Sequence, residues 1–100
     1  MIRVTVLYPA GPAFDMDYYL ATHTPLVRRL MGDALSGLAI DTAIGGIAPE
    51  LPPYQVICTL SFASLEAFQA VMAAHGATIM ADIANFTAAQ PVIQLGMAKA

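Results

Sequence analysis

The sequence predicts an α+β sandwich, with helices laid on one side of an antiparallel sheet. Three observations carry that prediction. Two stretches, 2–8 and 54–62, alternate as strands with one face turned to a core. Two others follow good helix caps, Asp15 and Ser64, and space their residues for one helical face. Proline and glycine clusters punctuate the chain between them, which orders the elements β-α-β-β-α-β.

In the first strand Ile2, Val4, Val6 and Tyr8 form one face, with Arg3, Thr5 and Leu7 on the other. Pro9-Ala10-Gly11-Pro12 ends it. A helix capped by Asp15 runs to about Met31 and stops at Gly32. Pro25 falls inside it. Either the helix kinks there, or Thr24 caps a second segment with Pro25 at its first position. Both readings free the carbonyl near Ala21 and loosen the backbone around His23.

Leu38 to Ile44 alternates and predicts the second strand. Gly45 to Pro53 reads as a loop, with two glycines and three prolines. Tyr54 to Phe62 is the clearest strand: Tyr54, Val56, Cys58, Leu60 and Phe62 share one face, and Gln55, Ile57, Thr59 and Ser61 the other. Ser64 caps a helix through about Ala74, with Leu65, Phe68 and Met72 as its inner stripe. His75-Gly76 breaks it, and residues 77–84 form a short further helix. Pro91 to Met97 is the last strand, with Pro91 at its first position. This order is that of a ferredoxin-like sandwich. The sheet face away from the helices carries Thr5, Leu7, Ile57, Thr59 and Ser61. A second sheet packed on so weakly polar a face explains it better than water does.

Composition sharpens that point. The chain has 100 residues, enough for one domain, of which 58% are hydrophobic and only 11% charged. So few charges on a small domain leave apolar surface wet unless a partner covers it, most simply an identical subunit. Net charge is −3, and of the basic residues Arg3, Arg28, Arg29 and Lys99 only two are adjacent. That excludes a nucleic-acid face. No apolar run reaches the length of a membrane span, and residues 1–8 lack the pattern of a secretion signal. The chain reads as cytoplasmic. A single cysteine excludes an internal disulfide.

The densest chemistry lies in Phe14-Asp15-Met16-Asp17-Tyr18-Tyr19 and the following His23-Thr24-Pro25-Leu26. On a helix Asp15, Tyr19 and His23 share one face. His23 can give or take a proton near neutral pH, with Asp15 or Tyr19 setting its tautomer. It can also brace backbone that Pro25 leaves unpaired. Tyr18 and Tyr19 line a pocket with Phe86, or else pack in the core. Tyr8 and Tyr54 either donate to a ligand carbonyl or close the ends of the core. Asp15 reads as an N-cap and Asp17 as a first-turn carboxylate. Asp82 and Asn85 flank a helix end, His75 reads as a cation at another, and Cys58 as a buried, inert thiol. Two distant histidines make no metal site. Gly45-Gly46 makes no phosphate loop, and no serine elbow is present.

These motifs resemble the EthD family, small proteins first associated with ether degradation. The resemblance covers the opening strand ending Tyr8-Pro9, then Phe14-Asp15-x-Asp17-Tyr18-Tyr19-x-x-x-His23-x-Pro25-Leu26. Tyr54, Phe62, Ser64-Leu65-Glu66-Ala67-Phe68 and Asp82-Ile83-x-Asn85-Phe86-Thr87 follow in the family's order. It implies a dimeric α+β barrel, in which two such sheets pack face to face. Its superfamily hosts cofactor-free monooxygenases, muconolactone-type isomerases and polyketide cyclases or dehydratases, beside proteins with no known reaction. Their pocket lies between sheet and helices. The expectation is a homodimer with a small apolar pocket in each subunit and no bound cofactor. Proton transfer on a small aromatic or carbonyl metabolite would then use His23 and Tyr19. Tyr8, Tyr18, Tyr54, Asn85 and Phe86 are the expected ligand contacts, Asn85 mainly through the resemblance. The alternatives are a non-catalytic carrier of a hydrophobic ligand and a scaffold. A buried cavity with the imidazole exposed to it favours an enzyme; an imidazole turned to backbone favours binding.

Overall fold

β-Branched and aromatic residues at every second position fix the sheet, and the helices take the apolar side of it. A computed structural model describes residues 1–47 and 49–100. The strands are β1 (Ile2–Pro9), β2 (Leu35–Thr42), β3 (Tyr54–Phe62) and β4 (Val92–Met97). They lie in the order β2-β3-β1-β4, all neighbours antiparallel. This is the ferredoxin-like α+β sandwich that the element order predicts.

β3 keeps its predicted bounds, and its alternation is visible in burial. Val56, Cys58, Leu60 and Phe62 are buried beside Val4 and Tyr8 of β1. Phe62 is fully enclosed, 0% exposed, with Phe68 edge-on at 5.2 Å. Thr5, Leu7, Ile57, Thr59 and Ser61 point the other way and are half-buried. β2 starts three residues earlier than predicted. Gly32 caps the first helix at φ 54°, and a 3-10 turn over Gly32–Ala34 leads straight into the strand. A register shift between Leu35 and Gly37 then hides the strand's early alternation. Of the predicted loop, Ala48 lies outside the described residues.

The first helix, α1, spans 16–31 without a break. Asp15 caps it, accepting a hydrogen bond from the Tyr18 amide at 3.1 Å. It is α over Met16–Tyr18, π over Tyr19–His23, and α again over Thr24–Met31. The second proline reading holds in part: a regular α segment begins at Thr24 with Pro25 in its first turn, but His23 stands at its N-cap and no side chain caps it. Instead the Thr24 amide reaches back five residues to the Tyr19 carbonyl. A proline ring in a helix collides with the carbonyl four residues earlier. The wider turn just before Pro25 gives Ala21 the room.

The second helix, α2 (Leu65–Asp82), corrects another expectation. It runs unbroken through His75-Gly76 and ends in a 3-10 turn, Ile83–Asn85. One glycine costs a helix only about 1 kcal/mol against alanine, which burial of its inner face outweighs. Gly76 is itself buried, and a Cβ there would meet the Met72 methyl at 3.1 Å. His75 is therefore a mid-helix residue and no terminal cation. Of the predicted inner stripe, Phe68 and Met72 join the core, whereas Leu65 is an exposed first-turn residue. No helix among the described residues is long and apolar enough to cross a membrane.

Candidate active site

Two backbone clamps bring the start of α1 to the end of α2. The Asp15 amide donates to the Phe86 carbonyl at 2.8 Å, and the Thr87 hydroxyl donates to the Ala13 carbonyl at 2.8 Å. Phe14 and Thr87 form an isolated β-bridge between them. Rings fill the corner so made. Phe86 meets Tyr8 at 5.8 Å, Tyr19 at 5.0 Å and His23 at 4.7 Å. Within the π-turn Tyr19 and His23 stack at 5.5 Å with their planes 16° apart.

His23 is 5% exposed, and its Nδ1 lies 2.8 Å from Asp82 Oδ2. This corrects the expected partner. Asp15 is spent on its cap, and Tyr19 offers the imidazole its ring face. Asp82 sets the tautomer: a carboxylate accepts the Nδ1 proton, which leaves the Nε2 lone pair free. Nε2 has no protein partner among the described residues. The other Asp82 oxygen accepts from the Tyr18 hydroxyl at 2.6 Å and from Asn85 Nδ2 at 2.9 Å. Asn85 Nδ2 also lies 3.3 Å from the Tyr18 hydroxyl.

The electrostatics follow from these contacts. Burial pushes the Asp82 carboxyl up, but the hydrogen bonds from Tyr18, Asn85 and His23 outweigh it, and its pKa falls below the ordinary 3.8. Tyr18 is held protonated chiefly by its bond to that carboxylate. Burial drives Tyr8 and Tyr19 far above the ordinary phenol value, with Cys58 adding to both. Burial also raises the Cys58 thiol, against a lowering influence from Tyr19 and Arg28.

A depressed carboxyl is a stability term with a sign. Unfolded Asp82 binds its proton more readily than folded Asp82 does. Its contribution is therefore fully present above about pH 4 and is lost as pH falls through the lower folded value. Urea unfolding of wild type and Asp82→Asn should show a stability gap at pH 6 that closes on acidification below pH 4. A gap that stays constant into acid would remove the ion from this account.

Between sheet and helices lies a cavity of about 50 Å³. Tyr8, Tyr19, His23, Thr24 and Cys58 supply its polar groups, and Val6, Val27, Leu60 and Ile79 are among its apolar walls. Met80 and Ile93, both partly exposed, border it. Of the predicted site residues, the cavity thus brings together Tyr8, Tyr19 and His23. It does not include Tyr18, Tyr54, Asn85 or Phe86. Tyr18 and Asn85 stand behind His23 on Asp82, and Phe86 packs against the imidazole. Tyr54 is half-buried at the start of β3 and borders a separate groove with Asp41 and Ile57. Sequence reasoning placed Asp82 at a helix end and missed its bond to His23, 59 residues away. No cluster of three metal-ligating side chains occurs among the described residues.

The EthD domain profile matches residues 8–90. An EthD-like protein from Ralstonia eutropha JMP134 shares 36% identity and superposes with a TM-score of 0.91, over 99% of this chain and 92% of that one. A dimeric ferredoxin-like protein of unknown function from Thermobifida fusca YX matches at 17% identity and TM-score 0.65, covering 97% and 90%. SnoaB, a cofactor-independent oxygenase from Streptomyces nogalater, matches at 8% identity and TM-score 0.67, covering 99% and 92%. At these identities the last two share the fold. No curated protein matches the sequence.

Proposed function

This chain belongs to the EthD family, and we propose that it is a cofactor-free enzyme moving protons on a small aromatic or carbonyl compound. One observation carries the reading: the imidazole whose Nδ1 is held by Asp82 also lines the apolar cavity. A base needs a free lone pair and a fixed tautomer: Asp82 holds Nδ1, and Nε2 has no protein partner among the described residues. Tyr8 and Tyr19, kept protonated by burial, are neutral donors for an oxygen on which charge develops. In the first step Nε2 takes a proton from a carbon beside a carbonyl. The electron pair of that C–H bond becomes a C=C bond, and the carbonyl π pair moves to the oxygen, which a tyrosine hydroxyl holds. Cyclisation, dehydration and oxygenation can all start from such an enolate, and the oxygenase fold relative lends support to the last.

The experiment follows that shared step. Small ketones such as acetone and acetophenone are incubated with the protein in D2O, and loss of their α-proton signals is read by NMR. Exchange well above that of free imidazole at equal concentration supports the proposal. Exchange no faster than free imidazole would favour the non-catalytic carrier.

The working form in this reading is a homodimer. The half-buried Thr5, Leu7, Ile57, Thr59 and Ser61 face and the exposed Ile44, Ile47 and Leu51 of the 43–53 loop support it, as does the dimeric fold relative. Sedimentation at micromolar concentration should give a dimer, and Ile57→Asp should split or unfold it. A wild-type protein that stays monomeric and soluble at high concentration would end the dimer reading.

A further inference from the structure

We propose that Tyr18 is a positioning residue: bonded to Asp82 Oδ1, its hydroxyl moderates the negative charge that His23 meets. The inference rests on the proton-transfer reading of His23 but concerns a residue outside the cavity. A carboxylate can turn about its last bond and offer either oxygen. Here Oδ1 is held twice, by Tyr18 at 2.6 Å and Asn85 at 2.9 Å, so Oδ2 alone faces Nδ1 at 2.8 Å. A bond of 2.6 Å from a hydroxyl to a carboxylate is of the short, charge-assisted kind. It draws charge toward Oδ1 and away from the imidazole. Asn85 contributes the same way, more weakly, as a neutral amide donor.

The surroundings make that influence legible. The titratable groups around the imidazole are Tyr18 and Tyr19 on its own helix, Asp82 at the end of α2, Tyr8 on β1 and Cys58 on β3. The phenols and the thiol remain neutral at neutral pH. Asp82 is then the formal charge in contact with the ring; Arg28, exposed on the same helix, acts on Cys58 and is unchanged in every variant below. Any change in how that charge is shared must register at His23.

Tyr18→Phe removes one oxygen and keeps the ring that stacks on Phe86 at 6.2 Å. The readout is the imidazole titration of His23, followed by NMR of the ring carbons. A His75→Gln background leaves His23 as the one histidine to assign. The titration midpoint should move up in Tyr18→Phe, because a carboxylate with one donor fewer holds a proton on the imidazole more tightly. Asp82→Asn should move it the opposite way, and the double variant should match Asp82→Asn. Asn85→Ala should shift it up by less, and serves if Tyr18→Phe unfolds. A brace without electrostatic influence would leave the midpoint unchanged. A brace whose loss lets Asp82 swing away would move it down, as Asp82→Asn does. Either result overturns the proposal. The ketone exchange assay separates the two claims. Shifted midpoints without exchange sink the enzyme reading and keep the Tyr18–Asp82 coupling; exchange with unmoved midpoints does the reverse.

Discussion

Replacing His23 by glutamine is expected to keep the fold and slow α-proton exchange on a bound ketone by about 10²–10⁴-fold. Glutamine is of similar reach and keeps a polar amide at the site, while Tyr18 and Asn85 still hold the Asp82 carboxylate. It has no lone pair basic enough to take a proton from carbon. The loss should therefore fall on turnover, with ketone affinity little changed, since Tyr8, Tyr19 and the apolar wall remain. If His23 serves only as a brace near Pro25, the pattern inverts. Stability then drops by on the order of 1 kcal/mol or more through imperfect pairing of buried polar groups, and binding survives. Denaturation, ligand binding and exchange measured on one preparation separate these cases. No change in any of the three would take His23 out of both.

The largest stability effect is expected at Phe62. Its ring is fully enclosed and sits where β1, β2 and β3 meet, opposite Ile2 and Leu35 and edge-on to Phe68. Phe62→Ala should cost about 3–5 kcal/mol, the usual toll of a large apolar cavity that its neighbours cannot fill. A domain of this size has about 5–15 kcal/mol in total, so the urea midpoint should fall steeply. A loss under about 1 kcal/mol would mean that the corner collapses freely and is not the rigid centre described above. The His23 corner packs with Tyr8, Tyr19 and Phe86, in a separate cluster from Phe62, although the cavity walls Leu60 and Ile79 belong to the cluster of Phe62. Proton exchange measured under conditions where the variant remains folded should change little.

The contrast between those two clusters shows what the sequence makes legible. β3 was readable because nine residues alternate without interruption. β1 was readable for the same reason, and Asp15 and Ser64 are caps in the structure as they are in the chain. What failed was punctuation. Gly32 stops α1 as predicted, but a 3-10 turn and a shifted register masked the start of β2. His75-Gly76 reads as a stop by local propensity, whereas the packed face of α2 carries the helix across it. The π-turn has no pattern of its own in sequence; Pro25 signals only that some adjustment must occur. At the site, Tyr8, Tyr19 and His23 were visible as rare polar groups at core positions. Asp82 was visible as a residue but not as a partner. Hydrogen bonds between the ends of two helices obey no spacing rule, and only the fold joins them.

The π-turn has a further consequence for the length of α1. A wider turn holds one residue more than a regular helix needs to cover the same ground. In regular α geometry residues five apart stand about 140° from each other around the axis, so Tyr18 and His23 would face different sides of the helix. The surplus residue of the π-turn takes up that offset, and both side chains reach Asp82. Straightening the turn without shortening the chain would therefore part the hydroxyl from the imidazole. Deleting one residue between Tyr19 and His23 would take out the surplus and leave the pair four apart, one regular turn, on the same side.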